Sequence, residues 1–256
     1  MGKNGLNPIN EEKIHKTIKE GKEIVKPKKS EENELKQIVK EIKKLINIEL
    51  NKMNLHDVQI LIEGSVGKGT WLPEDKDIDI FLAFPNSLET EKMMKKGKEI
   101  GKRVGKKVKN YEISYAQHPY VQIEYKDHKI EIVPSHQVKD YKDVKTAVDR
   151  TPLHTKFIEE KISKTNLKTE IRLLKKFMKT IGVYGSEKSV KGYSGYVSEL
   201  LIIENGGFLD LLKNARSWGP NELMDPNNWL NSTEKEVKLA QKTLKRDENK
   251  PMILLD

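Results

Sequence analysis

Two pairs of residues in the stretch 61–84 have the types and spacing needed for phosphate chemistry with metal ions. Gly64 and Ser65 follow an apolar run and open a glycine-rich turn. A second apolar run then carries Asp77 and Asp79, and residues i and i+2 of a strand point to the same face. Two parallel carboxylates opposite a glycine-serine turn suit a site that binds Mg²⁺ and a nucleoside triphosphate.

A third acidic residue lies on a later strand, predicted over 128–133. Within this segment Ile130 and Ile132 would face one way, whereas Glu131 would face the other. If this strand neighbours the one with the two aspartates, we expect Glu131 to join them as a third acid of the site.

Helices and strands alternate around these residues, so the first part of the chain is predicted to have an α/β (α+β) fold with a mixed sheet. Hydrophobic residues recur at helical spacing over 31–53 and again over 91–109. The predicted strands cover 58–62, 77–84, 111–116, 120–125 and 128–133.

The pattern becomes mostly helical from about residue 151, and we place a domain boundary between 150 and 151. We therefore expect an N-terminal helix and a catalytic domain over 1–150, and a helical domain over 151–256. The helices predicted in the second domain cover 167–181, 195–203, 208–215 and, more weakly, 233–244. The last residues, 252–256, have the pattern of a strand.

The composition excludes several classes of protein. The 256 residues include no cysteine, which excludes disulfides, thiolate zinc sites and cysteine nucleophiles. No apolar run approaches the ~18 residues of a membrane span, and the N-terminus lacks the apolar core of a secretion signal. A cytoplasmic protein is therefore expected.

The strong positive charge has two explanations. A net charge of +9 fits a protein that binds nucleic acid, and it also fits a surface rich in lysine and glutamate. The predicted helix over 91–109 carries nine Lys or Arg residues and two Glu. It is either a solvated helix face or a surface for RNA phosphates, which would bind in a salt-dependent manner.

Taken together, the glycine-serine pair, the two spaced aspartates and the later third acid resemble the signature of the nucleotidyltransferase superfamily that includes DNA polymerase β. Further motifs resemble the archaeal, class I CCA-adding tRNA nucleotidyltransferases. They extend the resemblance from about residue 30 to residue 256 and lie at 64–84, 115–120, 147–154, 172–178, 182–185, 191–196, 199–201 and 213–218.

This resemblance implies template-independent addition of CMP, CMP and AMP to the 3′ end of tRNA, from CTP and ATP, with two Mg²⁺ ions. It implies a polymerase β-like head followed by a helical neck domain. Asp77, Asp79 and Glu131 would be the catalytic, metal-binding acids. The implied nucleotide-binding residues are Gly64, Ser65, Lys68, His154, Lys175 and Tyr184.

Several of these positions also have a simpler explanation. Lys68 could be one more solvated lysine, and Lys175 could face solvent on an amphipathic helix. His154 could cap a helix, and Tyr184 could pack in the core.

The third acid departs from the family pattern, which has aspartate at the position of Glu131. The extra methylene moves the carboxylate by up to ~1.5 Å. Such a displacement near a reacting centre can cost about 10²-fold in rate. Three interpretations follow: a tolerated variant, a slowed enzyme or a deliberate weakening of the site.

Length is the second departure, because family members usually continue into body and tail domains that hold the tRNA. The chain is then expected to be a truncated form, a natural minimal enzyme or one half of a split protein. Two alternative functions are a partial enzyme that adds only A or only C to RNA, and a weakly active or inactive RNA-binding subunit that needs a separate C-terminal half.

Overall fold

The computed structural model describes residues 8–75, 77–115, 119–186, 189–190, 192–219, 222–224 and 252–254. It divides into two compact units, Met1–Ser163 and Lys164–Asp256. The division falls after Ser163, whereas the sequence-based boundary lies between 150 and 151. No helix in the described ranges is long and apolar enough to cross a membrane.

The described residues of the first unit form five α-helices and one sheet. Its helices are α1 (Pro8–Ile24), α2 (Lys29–Lys52), α3 (Gly64–Lys68), α4 (Thr90–Val108) and α5 (Thr151–Ile162). Its strands are β1 (Gln59–Glu63), β2 (Asp77–Phe84), β3 (Tyr111–Tyr115), β4 (Pro119–Tyr125) and β5 (His128–His136).

The five strands form a single sheet in the order β1-β2-β5-β4-β3. β2 and β5 pair in parallel, while the other neighbours pair antiparallel. The predicted mixed sheet is therefore confirmed.

One face of the sheet is apolar and forms the core of the unit. Ile78 and Ile80 of β2 and Ile132 of β5 point to this face and are fully buried. Helix α4 packs closely on it through a stripe of glycines. A methyl group at Gly101 would lie only 2.6 Å from the Cβ of Val121, so only glycine allows this approach. Since side chains alternate along a strand, the acids of β2 and β5 point to the opposite face.

A buried aspartate fixes the chain between β5 and α5. One oxygen of Asp149 accepts a hydrogen bond from the His136 backbone N–H at 2.7 Å. The other accepts from the backbone N–H groups of Thr146 at 2.8 Å and Lys145 at 3.1 Å. Burial alone would raise the pKa of Asp149, but these hydrogen bonds outweigh it and hold the pKa below its ordinary value.

Within its described residues, the second unit contains three helices and two short strands. These are α6 (Leu167–Thr180), α7 (Gly195–Asn205), α8 (Phe208–Ala215), β6 (Glu222–Met224) and β7 (Met252–Leu254). The three helices match those predicted from the sequence. β7 matches the predicted terminal strand and pairs in parallel with β6, which was not predicted. The helix predicted over 233–244 lies outside the described residues.

Two further elements differ from the sequence-based expectation. The polar segment before residue 30 was not predicted to be helical, yet it contains α1. The glycine-rich turn after β1 contains a short helix, α3, which ends at Gly69 in the left-handed conformation. The other predicted helices and strands of the first unit agree with the structure to within a few residues.

Candidate active site

Three acids lie side by side across three neighbouring strands. Glu63 of β1 stands opposite Asp79 of β2, and Asp79 stands opposite Glu131 of β5. Side chains at directly opposite positions point to the same face of a sheet. We call Glu63, Asp79 and Glu131 the acid row. Asp77 lies two residues before Asp79 on the same face, opposite Lys129.

The carboxylates in this region repel one another. Burial raises the pKa of Asp79 to about 6, and the charges of Glu131 and Asp77 add to the effect. Lys68 and Lys129 act in the opposite direction. Negative charge is therefore concentrated around the half-buried side chain of Asp79.

Lys129 forms an ion pair with the third acid. Its Nζ lies 3.1 Å from Oε1 of Glu131. Burial acts to lower the pKa of Lys129, but Glu131 and Asp77 outweigh it and raise the pKa above its ordinary value. Glu131 is thus held in an ion pair within its own strand.

Glu63 is a member of the row that was not predicted from the sequence. Its side chain is only 4% exposed, and its Oε2 has no hydrogen-bond partner among the described residues. Burial raises its pKa to about 7, and the nearby Glu159 and Asp79 act in the same direction, whereas the hydroxyl group of Thr155 and the charge of Lys68 oppose them. The sequence does place this acid directly before Gly64, at the end of an apolar strand. That position identifies Glu63 as a site residue only when the register between β1 and β2 is known.

Gly64 lets the chain turn directly beside Asp79. Its φ is +62°, in the left-handed region, and a Cβ placed there would overlap Oδ2 of Asp79 and lie 2.9 Å from its Cγ. Ser65 follows in α3 and is half-buried; its backbone carbonyl accepts a hydrogen bond from the N–H of Thr70 at 2.8 Å. Gly64 therefore lies against Asp79, and Ser65 is the next residue of the same turn.

Lys68, at the end of α3, is 7% exposed and its charge acts on both Glu63 and Asp79. It is therefore not the solvated lysine that the sequence left as an alternative. A buried lysine requires nearby negative charge, and Glu63 and Asp79 are close enough for the charge of Lys68 to lower their pKa values.

His154 lies on α5, which packs against α3 and β1 in the first unit. The side chain is half-buried. Its neighbour Thr155 is buried, and the hydroxyl group of Thr155 lies close enough to Glu63 to lower the pKa of that carboxyl group, although the two side chains do not form a well-aligned hydrogen bond.

Lys175 and Tyr184 come together in the second unit. Lys175 is 2% exposed, and its Nζ donates a hydrogen bond to Oε1 of the fully buried Glu199 at 2.8 Å. A Cβ at Gly195 would lie 2.9 Å from the Tyr184 hydroxyl and 3.8 Å from Nζ of Lys175. Nζ of Lys179 lies 5.3 Å from the centre of the Tyr184 ring. Lys175 therefore does not face solvent, and its partner Glu199 was not predicted from the sequence.

The donors of the first unit fit a divalent cation. Asp77, Asp79 and Glu131 offer only carboxylate oxygens, the ligands that Mg²⁺ prefers. A cation between them would also relieve the repulsion that raises the pKa of Asp79. Within the described ranges, no three His, Asp or Glu side chains are already gathered as a complete metal site.

Comparison with known proteins supports the same family for both units. Residues 32–164 match the family model described as nucleotidyltransferase domain. Residues 169–256 match the one described as tRNA nucleotidyltransferase, second domain. Nucleotidyltransferases generally use divalent metal ions.

Similar curated proteins are CCA-adding enzymes of archaea. The one from Pyrococcus abyssi is 43% identical over 242 residues, which is 94% of this chain and 53% of the relative. The one from Thermococcus gammatolerans is 40% identical over 234 residues, 91% of this chain and 50% of the relative. The chain thus spans about half the length of the curated relatives it matches.

Solved structures with lower sequence identity share the fold. The structure of E. coli MS115-1 CdnC with ATP aligns with a TM-score of 0.55 at 16% identity, covering 83% of this chain and 76% of that one. The terminal uridylyl transferase Cid1 aligns with a TM-score of 0.53 at 13% identity, covering 75% of this chain and 52% of that one. By sequence and by fold, the chain belongs to the nucleotidyltransferase family and is homologous to the archaeal CCA-adding enzymes.

Proposed function

We propose that the chain adds or repairs the 3′-terminal CCA of tRNA, using CTP and ATP. The observation that carries this proposal is the alignment of Asp79 opposite Glu131 in a chain that is homologous to CCA-adding enzymes over 94% of its length. The acids would bind the metal ions that nucleotidyl transfer needs. The homology to CCA-adding enzymes indicates which substrate the chain would use.

Asp77, Asp79 and Glu131 would hold two Mg²⁺ ions. When bound, such ions can stabilise the attacking and the leaving oxygen of the transferred phosphoryl group. The chain's own task is then to orient the donors, and the short distance between Gly64 and Asp79 restricts where this carboxylate can lie.

The remaining predicted residues would bind the nucleotide. In the first unit, Ser65 offers a hydroxyl group and Lys68 a positive charge to the triphosphate. His154 would contact the nucleotide from α5. In the second unit, Lys175 and Tyr184 would contribute contacts, with Lys175 held by Glu199. The first unit is thus the catalytic head and the second a neck domain in this proposal.

The test is nucleotide incorporation into tRNA. We expect the purified chain with Mg²⁺ to add labelled CMP and AMP to tRNA that lacks CCA. Asp79→Ala should abolish incorporation, because it removes the central acid of the site. Glu112→Ala is the matched control, since Glu112 is an exposed acid at the far edge of the same sheet. No incorporation by the wild type, or incorporation that survives Asp79→Ala, would refute the proposal.

The products also distinguish the alternatives. A partial enzyme would add only A or only C, or would extend RNAs unrelated to tRNA. A weakly active RNA-binding subunit would bind tRNA without turnover, and its activity would depend on a separately supplied C-terminal half. Because the chain spans about half the length of its relatives, incorporation should be measured at tRNA concentrations high enough to offset weak binding.

A further inference from the structure

Lys175 and Glu199 form a buried ion pair that stability alone does not explain. Nζ of Lys175 lies 2.8 Å from Oε1 of Glu199, and the two side chains are only 2% and 0% exposed. Removing two charges from water costs about as much free energy as their attraction returns, so apolar side chains would join α6 and α7 at least as well. Most of the other buried residues of α6 and α7 are indeed apolar. A lysine and a glutamate at this contact therefore need a second reason.

The ammonium group of Lys175 and the hydroxyl group of Tyr184 approach the same point, the first residue of α7. A Cβ at Gly195 would lie 2.9 Å from the hydroxyl oxygen of Tyr184 and 3.8 Å from Nζ of Lys175. Glu199 follows Gly195 by four residues, so both lie on the same face of the helix, one turn apart. The carboxylate of Glu199 thus lies one turn below the point where the two donors meet.

The two donors are held in place in different ways. The segment that contains Tyr184 pairs with the segment that leads into α7, and the N–H of Tyr193 donates to the carbonyl of Val183 at 2.8 Å. Backbone hydrogen bonds therefore fix the base of the tyrosine side chain. Lys175 has a flexible four-carbon stem, so its ammonium group needs a partner at the end of the chain to keep one position. Glu199 is such a partner.

We infer that Glu199 is a positioning residue, which holds the ammonium group of Lys175 near the hydroxyl group of Tyr184 and so places it for the triphosphate before the nucleotide binds. The inference rests on the proposed function, in which Lys175 and Tyr184 contact the nucleotide. A lysine that is already ordered loses less side-chain freedom on binding, and this strengthens the binding of the nucleotide.

The test measures the affinity for ATP with Mg²⁺ together with thermal unfolding. We expect Lys175→Met to weaken ATP binding by on the order of tenfold, the loss of one hydrogen bond to a charged group. Glu199→Gln should weaken it to a similar extent, because a neutral amide no longer holds the ammonium group in one position. Each single change should also lower the unfolding temperature, since it leaves one buried charge without the opposite charge beside it.

The double variant separates positioning from a purely structural role. Removing both charges together should restore much of the stability that either single variant loses, because neither buried charge of the pair remains. ATP binding should stay as weak as in Lys175→Met, because Glu199 acts through Lys175. A purely structural pair predicts the opposite result, in which the affinity recovers together with the stability.

Glu170→Gln is the matched control. Glu170 is a half-buried acid of α6, and its Oε2 accepts a hydrogen bond from the backbone N–H of Phe208 at 3.2 Å. It therefore also joins two helices of the second unit, but through a contact that does not involve Lys175. This variant should bind ATP like the wild type.

Two results would overturn the inference: recovery of ATP affinity in the double variant, or an affinity of Glu199→Gln that is unchanged or tighter. Failure of the proposed function gives a different result, because the wild type would then not extend tRNA while ATP binding still followed the expected order among the variants. A wild type that binds no ATP would overturn both.

Discussion

Replacing Gly64 by alanine should damage catalysis far more than stability. The added methyl group meets the carboxylate of Asp79, and it would lie 2.9 Å from Cγ, closer than the ~3.5–4.0 Å of a favourable carbon–carbon contact. Since Gly64 begins α3 directly beside β2, the Asp79 side chain is the part that can move.

The size of each effect follows from this geometry. Relieving the overlap with Oδ2 requires the Asp79 carboxylate to shift by roughly 1–2 Å, and a misplacement of about 1 Å near a reacting centre can cost about 10²-fold in rate. The left-handed backbone at Gly64 adds a separate penalty of about 1–2 kcal/mol for any residue with a Cβ. We therefore expect kcat to fall by on the order of 10²-fold and the free energy of unfolding to fall by about 1–2 kcal/mol.

The assay combines incorporation of labelled CMP and AMP with thermal unfolding. Gly206→Ala is the matched control, because Gly206 has a φ of +76° at the end of α7 and a Cβ there would meet no described atom within 4 Å. It should lose stability to a similar extent and keep the rate of the wild type. If Gly64→Ala lowers kcat no more than Gly206→Ala does, the carboxylate of Asp79 is not constrained as we infer.

Three further predictions concern other parts of the first unit. Glu131→Asp should change kcat for incorporation by less than about tenfold, because the register already places this residue opposite Asp79; a 10²-fold gain would show that the longer acid is a defect. Asp149→Asn should lower the free energy of unfolding by about 3 kcal/mol at neutral pH, measured by denaturant titration. Because the pKa of Asp149 is lowered in the folded state, this stabilisation is present above about pH 4 and should disappear as the pH falls through the folded pKa. Changing Lys102 and Lys106 of α4 to Glu should weaken tRNA binding and reduce the slope of log affinity against log salt by about 2 if α4 contacts RNA phosphates; the same change at Lys36 and Lys40 of α2 is the control.

The sequence predicts a site residue correctly where the pattern of side chains alone determines which face of a strand the residue occupies. Isoleucines alternate with acids on β2 and β5, so a period of two residues places Asp77, Asp79 and Glu131 on the polar face without knowledge of the fold. Their alignment also requires β2 and β5 to be neighbours, and the structure confirms this.

The residues that the sequence did not reveal depend on contacts between distant segments. Glu63 is recognisable as a site residue only once β1 pairs with β2 in the observed register. Lys68 looks like many other lysines of a basic chain, and its burial follows from the packing of α3 against β1 and α5. Glu199 is 24 residues from Lys175 in sequence, and their pairing requires α6 and α7 to pack together.

The glutamate at the third acid position is better explained by its ion pair than by a weakened site. Residues two apart on a strand have their Cα atoms roughly 6.5–7 Å apart, so an ion pair between them needs long side chains. Glu131 and Lys129 meet this requirement, with Oε1 and Nζ 3.1 Å apart. An aspartate would reach Lys129 less easily and would leave the lysine beside Asp77 without its closest partner. The extra methylene therefore serves a contact within β5, while the backbone register keeps the residue opposite Asp79. For this reason we interpret Glu131 as a tolerated variant whose length is matched to Lys129.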